Sequence, residues 1–261
     1  MSNPSHANVV SSFVAIKGAL IEETYAALRQ WDLAKSAGDN FELLQQTNAI
    51  GAKSANWLRD VVRTIRRRLD PDHRDRTLVT LAIRGCPLET WKPLLLWHMT
   101  QDDFLLRDFL VNWLYQRFRE GSASLRADQV LPYLAALPSR GVSVAARWSE
   151  TTSRRVANGL LKIVADFGLL RGTATREFAA YQLPEPSFLY LLHAMLEQTH
   201  TALRVLDSPD WRMYLMSRGD VETELLRLHQ FRKVQYQAAG SLIHLQLPCP
   251  STAAYTERLV A

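Results

Sequence analysis

The sequence predicts an all-α protein, a globular multi-helix fold with two helix-turn-helix-like units and at most minor β-hairpins. Three observations carry this. Apolar residues recur at helical spacing through most of the chain. The periodic segments start near Ser, Thr or Asp and stop near Gly. Strand-like alternation is confined to two short stretches. With 261 residues, 47% of them hydrophobic, the chain buries a core without help from metal or disulfide.

Residues 1–12 are polar and read as a flexible tail. Residues 13–121 read as an N-terminal helical domain and 122–261 as a C-terminal one. From Gly18 to Trp31, Leu20, Ile21, Tyr25 (or Thr24), Leu28 and Trp31 fall on one side of a helix. "SAGDN" interrupts it, and Asp39 is the expected cap of "FELLQQTNA". "IGAKS" supplies a glycine-bearing turn, and Ser54 caps "ANWLRDVVRTIRRRL". There Trp57, Leu58, Val61, Val62, Ile65 and Leu69 form the inward stripe, leaving Arg59, Arg63, Arg66 and Arg67 outward. Helix, turn and basic helix make the first helix-turn-helix-like unit. "TLVTLAIRGCP" is a short helical or buried segment, and Pro87 and Pro93 read as first-turn prolines of short helices. Asp102 or Asp103 caps "FLLRDFLVNWLYQRFREG", closed at Gly121, and Ser124 opens "LRADQVLPYLAAL".

The second unit follows. Val156, Leu160, Ile163, Val164 and Phe167 fall at i, i+4, i+7, i+8 and i+11, with Thr151, Thr152 or Ser153 as cap and Gly168 as terminator. Arg154, Arg155, Asn158 and Lys162 lie off that stripe, and Arg155, Asn158 and Lys162 share one line at i, i+3, i+7. "REFAAYQLPEP" alternates weakly, as a small wing strand would. Ser187 starts "FLYLLHAMLEQTHTALRVL", Asp220 caps "VETELLRLHQF", and "VQYQAAGSLIHLQLP" holds one short hairpin.

Charge singles out the two basic helices. The net charge is +5 and the pI about 9.4. Residues 51–76 carry eight Lys or Arg against four Asp, and residues 140–176, which include Arg140 and Arg147, carry seven against two acids. The remainder of the chain is therefore net acidic. Localised cations on the outer faces of helix-turn-helix-like units point to duplex DNA. The expected contacts are Lys53, Arg59, Arg63, Arg66 and Arg67 on one surface, and Arg154, Arg155, Asn158 and Lys162 on the other. Arg and Lys suit phosphates or guanine edges, and Asn158 suits an adenine edge.

Catalytic signatures are absent. The sequence has no HExxH, no GxSxG, no Walker glycine loop and no GxGxxG, and no Cys/His spacing suited to a metal. The expectation is a non-enzyme with no cofactor and no metal. His193 and His200, seven apart, and His98 with Asp102 read as structural pairs. Tryptophans such as Trp57, Trp91, Trp97, Trp113 and Trp148 read as core anchors. Cys86 and Cys249 each precede a proline and lie far apart, which fits a reducing compartment. The start lacks a signal-peptide pattern, and "PLLLWHM" gives way at once to "TQDD". A soluble cytoplasmic location is expected, with no membrane partner. No heptad seam is long enough for a coiled coil, so a monomer is expected.

The stretches "KGALIEETYAALRQWD", "NAIGAKSANWLRDVVRTIRRRL" and "WSETTSRRVANGLLKIVADFGLLRG" resemble the BrxA family of bacteriophage exclusion (BREX) phage-defence systems, over roughly residues 13–247. The resemblance implies an all-helical, monomeric protein that binds double-stranded DNA and has other BREX proteins as further partners. The system it implies methylates host DNA and blocks replication of unmarked phage DNA. It brings no catalytic residue to carry over. The rival reading is a protein-interaction subunit that docks onto larger methyltransferase or ATPase partners, with DNA contact incidental. RNA binding by a helical bundle is a third.

Overall fold

A computed structural model describes residues 9–138, 143–144, 148–239 and 242–260. Residues 1–8 of the expected tail, and Arg140 and Arg147 of the second basic segment, lie outside the described residues. The chain enters through β1 (Val9–Val10) and the short helix α1 (Phe13–Lys17). Val10 is fully buried, so order begins before the end of the expected tail. Next come α2 (Ile21–Arg29), α3 (Ala37–Thr47), α4 (Ala55–Arg68), α5 (Arg76–Ile83) and α6 (Leu88–Thr100). A continuous helical run is made of α7 (Phe104–Asp108), a π-helical segment (Phe109–Leu114) and α8 (Tyr115–Arg119). It leads to α9 (Ala127–Ala136), β2 (Ser143–Val144), α10 (Glu150–Asp166) and the strands β3 (Leu170–Gly172) and β4 (Arg176–Phe178). The chain finishes with α11 (Glu185–Thr199), α12 (Ala202–Leu206), a 3-10 turn (Pro209–Tyr214), α13 (Arg218–Gln230), β5 (Gln235–Ala239), β6 (Leu242–Gln246) and α14 (Thr252–Leu259). With 63% helix, the all-α expectation holds.

Strands are minor. β1 pairs with β2 in parallel, while β3–β4 and β5–β6 are antiparallel hairpins. Leu125 pairs with Arg176 as an isolated antiparallel bridge, which ties the entry of α9 to the hairpin that follows α10. This pairing explains why α9 starts at Ala127 and not at Ser124.

Several helix starts differ from the sequence expectation by a few residues. Ser36 caps α3, accepting from the Asp39 amide at 3.2 Å, so Asp39 lies in the first turn. Ser149 caps α10 through the Thr152 amide at 3.2 Å, upstream of Thr151, Thr152 and Ser153. Ser217 caps α13, and the Asp220 carboxylate accepts from its amide at 2.7 Å. In each case a serine three residues ahead of a free amide lets the helix gain a turn. Ser54 caps α4 and Asp103 caps α7 as expected. α11 begins behind Pro184, ahead of Ser187. Pro93 lies inside α6, so this segment is one helix and not two. Burial of Trp91 and of Leu94 through Met99 outweighs the one backbone donor that Pro93 removes.

The core is continuous. α6 packs on α11, α5 on α14, α1 on α10, and the π-helical segment on the 3-10 turn. These contacts join elements on both sides of the expected boundary at residue 121. A polar chain crosses the interior: Asp75 meets His98 Nδ1 at 2.6 Å, His98 Nε2 meets the Tyr190 hydroxyl at 2.8 Å, and Tyr190 meets Thr77 at 2.5 Å. His98 therefore pairs with Asp75 and not with Asp102. Burial alone would raise the Asp75 carboxyl, but the bonds and charges of His98 and Arg74 outweigh it and hold it below its ordinary value. His193 and His200 do not share a helix face, because His200 sits past the end of α11 in the left-handed region. His193 donates to the Leu189 carbonyl at 2.7 Å and stacks on Tyr255.

Candidate nucleic-acid interface

The short helix α1 connects the two basic helices. On one side it meets α10 at Gly159, where an added Cβ would stand 1.9 Å from the Ala15 carbonyl oxygen. On the other it is fastened to α4. Arg68 donates to the carbonyls of Gly18 at 2.6 Å, Ala19 at 3.0 Å and Val14 at 3.4 Å. Gly18 and Ala19 follow the C-terminal end of α1, where a helix leaves acceptors unmet and carries partial negative charge, while the Val14 carbonyl also accepts from the Gly18 amide at 3.0 Å. Lys17 pairs with Asp60 of α4 at 3.1 Å, and the Arg67 guanidinium lies 4.2 Å from the Phe13 ring centroid. Burial pushes Arg68 down to about 10, so it stays charged at neutral pH. Burial also pushes the Asp103 carboxyl up to about 6, against the pull of Arg68 and Arg67.

Arg154, Arg155, Asn158 and Lys162 are all exposed on α10. Their apolar counterparts Val156, Leu160, Ile163 and Val164 are buried. α1 covers the shoulder of α10 at Gly159 and leaves these four on the open side. Arg154 pairs with Glu150 at 3.6 Å and Lys162 with Asp166 at 2.7 Å. Such exposed i,i+4 pairs are worth roughly 0.3–0.5 kcal/mol, so a phosphate displaces them at little cost. Arg155 has no carboxylate partner among the described residues. Asn158 spends its amide nitrogen on the Arg154 carbonyl at 3.0 Å.

The residues expected on α4 divide among three directions. Arg63 is exposed and, among the described residues, unpaired, as is Lys53 in the turn ahead of the helix. Arg59 donates to the Asn56 side chain. Arg66 lies over Phe41 of α3, 5.4 Å from its ring centroid, while Arg67 turns to Phe13 and to the Ser11 hydroxyl at 3.2 Å. Arg63 is thus the open centre of this face, and Arg66 and Arg67 are partly spent on packing. Trp57 is a correction to the expected core: it is 41% exposed. It sits in the first turn of α4 at the margin of the apolar stripe and faces an open cleft.

A cleft of about 840 Å³ opens between α1, α6 and α10. It brings Arg155, Asn158 and Lys162 together with Trp57 from α4. α10 and the first turn of α4 therefore border one depression, although none of the cations of α4 lines it. The model of the BrxA family matches residues 11–194, a span running from just ahead of α1 into α11 that includes both basic helices. The chain belongs to the BrxA family. BrxA membership makes it a component of a BREX phage-defence system. No curated protein matches the chain. Among the described residues of this BrxA-family chain, no helix is long and apolar enough to cross a membrane.

Gly159 and Lys17 are not among the residues expected from sequence, and Arg176, which also lines the cleft, is expected only as one of the cations of residues 140–176. Gly159 carried a signal. An isolated glycine inside a strong helical pattern costs about 1 kcal/mol relative to alanine and marks a close backbone approach. Arg176 carried none, since its burial depends on Leu125, which is distant in sequence.

Proposed function

We propose that this BREX component binds double-stranded DNA without enzymatic activity, with α10 as the reading helix and α4 as a flanking phosphate contact. The observation that carries the reading is the exposed set Arg154, Arg155, Asn158 and Lys162 on a helix framed for presentation. α9 packs against α10, the β3–β4 hairpin follows, and the Leu125–Arg176 bridge closes the unit. This order of helix, helix and hairpin resembles a winged helix-turn-helix. α4 is followed by α5 and not by a hairpin, so it lacks a wing and fits a supporting role better.

Cations outnumber the groups able to read bases, so recognition is largely sequence-tolerant. Fluorescence anisotropy of a labelled duplex across a salt series tests this. Affinity should fall linearly on a log–log plot, by about 0.9 log units per phosphate contact. A salt-independent signal, or no binding, overturns it. In this reading the protein works as a soluble cytoplasmic monomer, which sedimentation at micromolar concentration checks. His98 supports the non-enzymatic role, because it is enclosed between Asp75 and Tyr190 with 1% of its surface exposed.

The rival reading, a subunit that docks onto other BREX proteins, draws on a different observation. Leu226, Phe231 and Leu242 are 51%, 63% and 76% exposed, and all lie beyond the span matched by the family. Loss of partner association with intact duplex binding after Phe231→Ser would support it.

A further inference from the structure

The side chain of Arg176 has 8% of its surface exposed, and its Nε has no hydrogen-bond partner. It makes no ion pair among the described residues, and the residues outside that set include no Asp or Glu. The acid whose charge reaches it, Asp166, is already held by Lys162. A guanidinium largely withdrawn from water, with an unpartnered Nε and no carboxylate beside it, is costly, and one that lines an open cleft is a site prepared for an anion.

The surroundings narrow the class of anion. Arg155 and Lys92 line the same cleft and, like Arg176, lack carboxylate partners among the described residues. One carboxylate would satisfy one of these cations, whereas a phosphoryl group or a chain of them satisfies several, and the guanidinium fork matches its oxygens. The lining also carries Glu22, Glu23 and Glu89, which accept from hydroxyl and amino groups. Trp57 presents an exposed indole at the same cleft, and an indole face suits a base. The volume of about 840 Å³ is that of a small-molecule site, and a rigid duplex does not enter a space of that size.

We propose that the cleft between α1, α6 and α10 binds a nucleoside phosphate, with its phosphates on Arg176, Arg155 and Lys92 and its base on Trp57. The site shares Arg155 with the proposed DNA face but rests chiefly on an observation apart from that face, the buried Arg176 with its unpartnered Nε. Ligand in the cleft would contact α1 and α10 together and so couple nucleotide occupancy to the helix that faces DNA.

Calorimetric titration of the full chain with ATP, with inorganic tripolyphosphate and with a DNA duplex, each alone, tests the proposal. ATP should bind at one site, tripolyphosphate should compete with it, and tryptophan fluorescence should change on binding. Arg176→Gln should weaken ATP at least about tenfold. Trp57→Ala, at an exposed position that leaves the fold intact, should weaken ATP but not tripolyphosphate. Arg63→Ala, outside the cleft, should weaken the duplex and leave ATP unchanged, so failure of the nucleotide site and failure of the DNA interface give different results. If Arg176→Gln misfolds, the Trp57→Ala comparison decides. No ATP binding at millimolar concentration, or ATP binding indifferent to both substitutions, overturns the proposal. So does a cleft whose only phosphate ligand is the duplex.

Discussion

Gly159 and Ala15 meet backbone to backbone: a Cβ on residue 159 would stand 1.9 Å from the Ala15 carbonyl oxygen. This contact fixes α1 along α10, and through Arg68 it fixes α4 as well, so the relative placement of the two basic helices depends on a five-residue helix.

Gly159→Ala should therefore destabilise the protein although alanine is the better helix former. The propensity gain is about 1 kcal/mol, and the backbone shift needed to relieve the overlap costs more, for a net loss of roughly 1–3 kcal/mol. A thermal melt reads the sign directly. A melting temperature equal to or above that of the parent would show that α1 does not press on α10.

Arg68 is the second fastening. Arg68→Met removes a charged donor shared among three carbonyls of the α1 terminus and should cost on the order of 2–4 kcal/mol in urea denaturation. Arg68→Lys should recover little, because one ammonium cannot reproduce the planar fork. Full recovery by lysine would mean that charge alone, and not fork geometry, holds α1.

Asp103 supplies a pH signature. Burial pushes its carboxyl up to about 6, above the ordinary Asp value near 3.9. The folded state therefore holds this proton more tightly, and the stabilisation is fully present below about pH 4 and lost as pH rises through about 6. Asp103→Asn keeps an acceptor for the Leu106 amide but does not titrate. The stability of Asp103→Asn relative to the parent should rise between about pH 4 and pH 7, by on the order of 2 kcal/mol. A constant difference across that range would contradict the shift.

The outward face of α10 was legible because its stripe of Val156, Leu160, Ile163 and Val164 is regular, which leaves Arg155, Asn158 and Lys162 only one side to occupy. The same periodicity misplaced Trp57, since it describes a helix face but not where the neighbouring helices stop. It also treated Arg66 and Arg67 as free, although Phe41 and Phe13 take them up through tertiary contacts that no local pattern encodes. The tight fit of α1 over Gly159 and the burial of Arg176 belong to that same long-range class. The caps shifted by a few residues because any serine, threonine or aspartate near a helix start satisfies the local rule, and tertiary pairing such as Leu125 with Arg176 chooses among them.

The central claim is that duplex DNA lies across α10 with α4 alongside, and the salt dependence of binding by Arg63→Ala, Arg154→Ala and the double variant tests it most directly. Both substitutions are at exposed positions, and all three variants should stay within about 1 kcal/mol of the parent in stability. If both arginines meet phosphates of the same duplex, each single variant should flatten the log–log slope by about one unit, and the double variant by about two. A double variant that binds duplex with the affinity and slope of the parent would contradict the account, and these faces would then be solvated helix surfaces.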